Sequence, residues 1–547
     1  MSSTLTEPSS IQEDQLESPR PRRWVTRENL VLIYGLLAVL GVAWVELFFS
    51  VHKGGYFPQH WFWGVSITLT LLGVSVLVPG YYSSLHRRQW ILTGVLGSFV
   101  AIIALSILWS VAPELSQREA FRTAMYAGVF VLLLPAAVRW GWLIVDTTIF
   151  AALMPPALYG LLQKIYPTLA LYTGFDSLEA DPRASSTLGY HPTFGMMCAM
   201  GTLLAISRVG SLRPTLGYIP LRALYSATSV LFLAALYSSF SRGAMLALAG
   251  GIPVLLLLSK RRFEVLGNLA ISGLALAWLV GQIQELPGLI IRPVTRSEMQ
   301  VDGWLLVDPL LKAMLAVFVA QVLFSLAIRL IEGFVPRRVR QGARVVGTVA
   351  VAILITLGLA QAWMVFQNMG GVAELRSQLT SGDIYDNPEI ERDTSQRYTS
   401  LDAAARLELW EIARQNWLQN PLAGSGGDTY QVVYAQQNSD GGGGDVLHPH
   451  SLWMRLLSDN GLIAFFAFAA FSVGLLAVAA FNVFATTRSR SGRALVAGSA
   501  AAAAAYLISS SIDWNWFIPA STLPFFALAA VATGMSRRKA RTNGRKR

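Results

Sequence analysis

The chain has 547 residues, of which 53% are hydrophobic and only 14% charged, with a mean hydropathy of +0.47 and a formal net charge of +11. Soluble domains carry roughly 25% charged residues, so a deficit over this length excludes one water-soluble domain. The 24 Pro and 46 Gly exclude a collagen-like or disordered chain, and the one cysteine, Cys198, excludes a disulfide scaffold or a thiolate zinc cluster. What remains is an all-α polytopic membrane protein.

Residues 1–28 are polar, with Ser, Glu and Pro, and lack the apolar core of a signal peptide. They read as a disordered cytoplasmic lead-in. A membrane span takes about 20 apolar residues. Stretches of this kind lie near 29–50, 61–80, 90–111, 121–138, 141–163, 188–206, 223–240, 243–259, 265–283, 310–331, 345–366, 461–484, 494–512 and 517–534, which predicts fourteen transmembrane helices. They divide into a bundle over 29–366 and C-terminal helices over 450–534, with a large loop at 367–449 between them and a basic tail at 535–547.

With the N-terminus cytoplasmic, most of the 43 Lys and Arg fall inside, among them Arg87 and Arg88, Lys260 to Arg262, Arg337 and Arg338, and the tail from Arg537. An even number of spans returns the C-terminus to the same side. The positive charge is then an orientation signal with attraction to anionic membrane lipids, and nucleic-acid binding is not expected. The predicted location is the plasma membrane, multi-pass.

Three outer loops are long, about 164–187, 284–309 and 367–449. The third carries twelve acidic residues against five arginines, which favours the outer side. Within it 401–417 reads as a helix, because Leu407, Trp410, Ile412, Ala413 and Trp417 recur mostly at three- and four-residue spacings. Asn420-Pro421 ends that helix, Gly424 to Gly427 makes a turn, and Asp440 to Asp445 is a flexible strip. His448-Pro-His450 then leads into an apolar helix that runs on into the span 461–484.

Arg242 sits between two apolar stretches. A charge within a span costs about 2.5–3.5 kcal/mol even on the lenient insertion scale. Such an arginine either snorkels at a tight hairpin or makes an anion site, since a guanidinium stays charged and grips a diphosphate with a bidentate fork. His448 and His450 lie at the mouth of the same face, and histidine suits proton abstraction near neutral pH. Polar capping of the entering helix, or a metal site with Asp445, are their alternatives. No Asp-x-Asp pair and no His-Glu-x-x-His occurs.

Arg406, on the loop helix, is either solvated or turned down toward the membrane. Arg183 and His191 flank the start of the span 188–206 and are either substrate contacts or a helix cap. Asp459, near the outer end of a span, either pairs with an arginine or caps. Trp514 and Trp516 read as interfacial belt residues. Two or three arginines and a histidine at one outer face suit an anionic, lipid-linked substrate, with the tail between helices and the phosphates at the arginines.

Three motifs stand in order: Ser241-Arg-Gly-Ala244; Arg406-x-x-x-Trp410 with Pro421-Leu-Ala-Gly424-x-Gly426; and His450-Ser-Leu-Trp-Met-Arg-Leu-Leu-Ser-Asp-Asn-Gly461. The chain resembles the O-antigen ligase and O-antigen polymerase superfamily over roughly residues 90–530. The resemblance implies a glycosyltransferase that moves a glycan from an undecaprenyl-diphosphate carrier to a hydroxyl of a lipid, saccharide or protein acceptor, outside the plasma membrane. It implies a partly helical periplasmic loop over the site, no metal, no cofactor and inversion in one displacement. Carried onto this chain, Arg242 and Arg406 would hold the diphosphate and His450 would activate or orient the acceptor, with Arg183, His191, His448 and Asp459 as further substrate contacts. Two positions differ from the family pattern, Ser451 after the histidine and Asp459 two before the glycine. The segment 264–332 exceeds the usual twelve-span plan. A transporter of a small or anionic solute is the alternative reading, and an envelope scaffold a third.

Overall fold

The computed structural model of the chain describes residues 26–169, 179–368, 370–373, 377, 392–398, 404–437, 446–484 and 489–534. Most of the expected lead-in, the basic tail, the Gly-rich strip and Asp445 lie outside these residues. The described chain is overwhelmingly helical. It begins with α1 (Arg27–Val51), α2 (Pro58–Leu77), α3 (Arg87–Leu105), α4 (Pro113–Leu143), a π-helical turn at Ile144–Phe150 and α5 (Ala151–Ile165). The middle holds α6 (His191–Ser211), α7 (Ile219–Ser238), α8 (Arg242–Leu258), α9 (Arg262–Gln284), α10 (Arg296–Phe334) and α11 (Arg337–Asn368). After the large loop, which carries α12 (Ala404–Gln419) and α13 (Tyr430–Gln437), come α14 (Leu452–Phe484), α15 (Arg490–Ser510) and α16 (Pro519–Gly534).

Ten helical stretches among the described residues are long and apolar enough to cross a membrane, which makes the chain an all-α polytopic membrane protein. One of the ten is a run of 53 residues, Pro113–Ile165. It bends at Trp140, where φ −134° and ψ 39° leave the helical region, separating the expected spans 121–138 and 141–163. Two shorter apolar helices, α8 and α16, accompany them.

The centre is built from small residues. Along α6 every residue from Thr193 to Ser211 is buried, and α16 is buried along its whole length. α6 packs against α7, α8 and α15, and α16 against α4 and α15. The alanine run Ala500 to Ala505 lets α15 approach these neighbours closely, the usual device where lipid supplies no hydrophobic drive between helices. At the end away from the large loop, Glu264 ties α7, α9 and α15 together through Arg222 (2.6 Å) and Arg490 (2.5 Å).

Two expectations about the loops need correction. The outer loop expected at 284–309 ends earlier, because Thr295 and Glu298 form a reciprocal capping box that starts α10 at Arg296. Its residues 294–295 pair antiparallel with 179–180, a small strand element in an otherwise helical chain. The helix after His450 is not continuous either. It breaks at Gly461 (φ 68°, ψ −171°), a conformation only glycine adopts readily.

That break is where the large loop docks. Gly424 (φ +65°) and Gly461 lie backbone to backbone across the junction: a Cβ on Gly424 would fall 2.3 Å from the Asp459 carbonyl carbon, and one on Gly461 would fall 2.3 Å from that of Leu422. Gly426 N–H donates to Asp459 O (2.7 Å), Leu462 N–H to Pro421 O (2.9 Å) and Val111 N–H to Ser425 O (3.0 Å). Asn416 Nδ2 on α12 donates to Ser425 Oγ (2.9 Å) and Ser458 Oγ (2.9 Å). The turn 421–427 is therefore clamped between α3, α4 and α14, and this fixes α12 above the bundle.

Candidate functional site

Asp513 sits in the break between α15 and α16, its side chain 2% exposed. The Tyr190 hydroxyl donates to Oδ1 (2.5 Å), His450 Nδ1 lies 3.5 Å from the same oxygen, and Arg406 Nη2 lies 3.8 Å from Oδ2. Tyr190 packs against Trp514 with ring centroids 4.3 Å apart and the planes tilted by 41°. Burial, followed by the adjoining Asp513 carboxylate, raises the Tyr190 phenol, so it stays a donor.

Local sequence explains why these groups converge. Arg406 and Trp410 are one turn apart on α12, so they share a face. Trp410 Nε1 donates to Pro449 O (2.8 Å), which holds the peptide immediately before His450. His450 itself has φ +49°, left-handed and uncommon for a non-glycine residue. Ser451 then caps α14, its Oγ accepting from Met454 N (3.3 Å), which gives the residue after the histidine a structural task. Arg242 is the first residue of α8, capped by Ser241, whose Oγ accepts from Ala244 N (3.2 Å). A Cβ on the neighbouring Gly243 would lie 3.2 Å from Ile512 Cδ1, so Arg242 begins its helix beside the residue that precedes Asp513.

A second cluster adjoins the first through the Tyr190–His191 step. Asp181 accepts from Arg183 Nη2 (3.2 Å) and lies 3.3 Å from His191 Nε2. Arg292 pairs with its other oxygen. Burial by itself raises the Asp181 carboxyl. The hydrogen bond and charge of His191 with the charges of Arg183 and Arg292 override this and hold it well below the usual carboxylate range. Ala184 N–H donates to Ser238 O (2.7 Å), which ties this loop to the turn that carries Arg242.

Beneath lies a buried ionic network. Glu119 is fully buried and accepts from Arg455 Nη2 (2.7 Å), from Trp516 Nε1 (2.8 Å) and from Arg122. Arg122 also reaches Asp428 (3.3 Å), so a side-chain contact joins α4 to the large loop as well. Burial, with some help from Glu119, raises the Asp428 carboxyl to about 6 against the pull of Arg122 and Arg455. His448 is buried and stacks on Phe517 (3.6 Å between centroids). Burial, then the charges of Arg122, Arg455 and His450, push it well below the usual histidine value, so this imidazole is neutral.

Of the expected site residues, His450 and Arg406 meet at Asp513, and Arg183 and His191 meet at Asp181 next to it. Arg242 starts a helix on the same side. His448 and Asp459 lie below, buried among the ionic network rather than at the mouth. Trp516 is corrected from a belt residue to a buried donor to Glu119. Asp513, Tyr190, Arg292, Glu119, Arg122 and Arg455 were not singled out as site residues in the sequence. A carboxylate stranded between two apolar stretches, the mirror of Arg242, was the available signal for Asp513. Among the described residues no group of three or more His, Cys, Asp or Glu is arranged to hold a metal ion.

Residues 311–469 match the family model described as O-antigen ligase. The matched stretch contains α12, Arg406 and His450, and it supports the O-antigen ligase superfamily that the three motifs resemble. It supports an O-antigen ligase- or polymerase-like role in glycan transfer, hence polysaccharide biosynthesis at a membrane. No curated protein matches the chain.

Proposed function

We propose that the chain transfers a glycan from an undecaprenyl-diphosphate carrier to an acceptor hydroxyl at the outer face of the plasma membrane, without a metal and with inversion. The observation that carries this reading is the meeting of His450, Arg406 and Tyr190 on the buried carboxylate of Asp513, with Arg406 and His450 inside the matched stretch.

Asp513 faces Nδ1 of His450, which leaves Nε2 for the acceptor. As the acceptor oxygen bonds to the anomeric carbon, its proton passes to Nε2 and the anomeric carbon–oxygen bond to phosphate breaks. Arg242 and Arg406 take the departing diphosphate, whose charge grows as the bond opens. Fixed cations aimed at developing charge act strongly in a water-poor site, and general-base removal of the proton is typically worth about 10²–10⁴-fold. Asp513 orients the imidazole and stabilises its protonated form, the part a carboxylate plays toward a histidine base in other enzymes.

The reading places both termini in the cytoplasm and the large loop outside, with fourteen crossings. Support for this count comes from the 53-residue run, about 80 Å of helix, against roughly 30 Å of hydrocarbon. That run needs two passes, and α8, α11 and α16 add three to the remaining candidates.

Mass spectrometry of envelope glycans and undecaprenyl-linked intermediates after deletion of the chain tests the proposal. Accumulated long carrier-linked chains indicate a lost ligase and accumulated single units a lost polymerase. An unchanged profile contradicts both.

A further inference from the structure

The segment 285–295, part of the stretch beyond the twelve-span plan, is fixed on every side. Arg292 N–H donates to Arg392 O (2.6 Å) and Thr394 N–H to Ile290 O (2.9 Å), while Ile291 bridges antiparallel to Asp393. Val294 pairs with Ala180. At the base, α10 meets the end of α5 so closely that a Cβ on Gly303 would lie 1.9 Å from Lys164 O. A segment held this firmly presents its side chains at set positions, and the one it brings to the site is Arg292.

Around Asp181 there are two permanent guanidinium charges, Arg183 and Arg292, with His191 beside them. Lys164 Nζ donates to Pro182 O at the floor of the same loop. Of the described carboxylates near this cluster, only Asp181 is paired with the two guanidinium groups. Asp393 accepts from Ser395 N (2.9 Å) and Oγ (2.7 Å), and Glu298 caps α10. Arg292 Nε is buried with no hydrogen-bond partner among the described residues. The side chains of Arg183 and Arg292 remain 24% and 31% exposed, so a ligand can reach them. Arg183 spends Nε (3.4 Å) and Nη2 (3.2 Å) on Asp181, and the remaining exposed edge of a guanidinium, which carries five N–H donors in all, matches a carboxylate or a phosphate. The same segment also walls an open cleft of about 450 Å³ lined by Pro287, Ile291, Pro293, Val294, Glu298 and Val301, which adds contact surface beside the charge.

We infer that Arg183 and Arg292, braced by Asp181, form a second oxyanion subsite that takes an acidic group of the saccharide or its acceptor. The inference rests on the glycan-transfer reading of the Asp513 centre next to it. Asp181 pairs with both guanidinium groups, and among the described residues the incoming carboxylate or phosphate supplies the second negative charge against the two arginines. The transferred polymer or its acceptor is therefore acidic. A phosphate of the carrier itself offers the same chemistry, and the test separates the two sources.

The test uses the full chain in lipid nanodiscs with three probes: hexagalacturonate, neutral maltohexaose and undecaprenyl diphosphate. Hexagalacturonate binds more tightly than maltohexaose, and Arg292→Gln and Arg183→Gln each weaken it by about tenfold while undecaprenyl diphosphate is unaffected. Arg292→Lys keeps the pairing with Asp181, controls for folding and falls between. Loss of undecaprenyl diphosphate affinity in place of hexagalacturonate affinity keeps the oxyanion subsite and overturns the acidic polymer. Unchanged affinity for both probes in both variants overturns the subsite. These binding readouts do not depend on transfer, so full transfer by a His450→Ala protein sinks the Asp513 reading separately.

Discussion

His450 Nδ1 lies 3.5 Å from Asp513 Oδ1, although the two residues come from opposite sides of the last two long helices. Histidine is held there by a strained backbone and by the Trp410 contact to Pro449, and the aspartate by burial. The pair has the arrangement of a base and the carboxylate that orients it.

Asp513→Asn tests that arrangement. The amide keeps the shape but not the charge that favours the protonated imidazole. Transfer should fall by about 10²-fold or more. Binding of undecaprenyl diphosphate should stay within about twofold. Unchanged transfer would show that the carboxylate is only structural.

For the arginines, Arg242→Ala and Arg406→Ala should each weaken undecaprenyl diphosphate by about tenfold or more, since charge-assisted forks contribute about 1.5–3 kcal/mol. Arg406→Lys should recover only part of the loss, because an ammonium lacks the fork. Isothermal titration in nanodiscs is the readout, and unchanged affinity in both alanine variants would remove the phosphate grip.

Docking of the large loop should depend on pH through Asp428. Its carboxyl titrates at about 6 when docked and near the ordinary value of about 4 when released. A raised acid favours the docked form while protonated, so docking is strongest below about pH 4 and weakens as pH rises through about 6. Hydrogen exchange over 424–430, corrected for intrinsic rates, should be faster at pH 8 than at pH 5, and Asp428→Asn should abolish the difference. Equal protection at both pH values in the unaltered protein would contradict the assignment.

Gly424→Ala should dislodge the same loop. Its added methyl would need φ +65° and would meet the Asp459 backbone at 2.3 Å, where nothing can yield. Proteolysis within 404–437 should accelerate, and transfer should fall at least as far as in Arg406→Ala, because α12 carries Arg406. Normal activity from this variant would show that the clamp does not position the helix.

Glu119→Gln should destabilise the bundle, since Arg122 and Arg455 would be left buried without a full counter-charge. Breaking a buried pair this way costs about 3–5 kcal/mol. A thermal midpoint in detergent close to that of the unaltered protein would count against the network.

Much of the framework was legible because hydrophobic runs report burial directly. The helices at 219–238, 242–258 and 262–284 lie where apolar stretches predicted them, whereas the helix 296–334 starts well before the apolar stretch at 310–331. Arg242 was conspicuous because a charge between apolar runs is costly, and His450 because it precedes an apolar helix, whereas Arg406, on a loop helix, was given a role only by the family resemblance. Asp513 was hidden beside Trp514 and Trp516, two tryptophans that alone suggest an interfacial belt. Arg292 was hidden in a loop whose fold depends on pairing with 179–180 and 392–394. The ionic network was out of reach altogether, since Glu119 meets Trp516 across 397 residues and no local period reports such a contact.

The central claim is most directly tested by purified protein in liposomes, given an undecaprenyl-diphosphate-linked oligosaccharide and an acceptor, with release of undecaprenyl diphosphate followed by mass spectrometry. The account predicts stoichiometric release with oligosaccharide joined to the acceptor, abolished by His450→Ala in protein that still inserts and folds. Full transfer by His450→Ala, or movement of solute across the bilayer with no glycan bond exchanged, would contradict it.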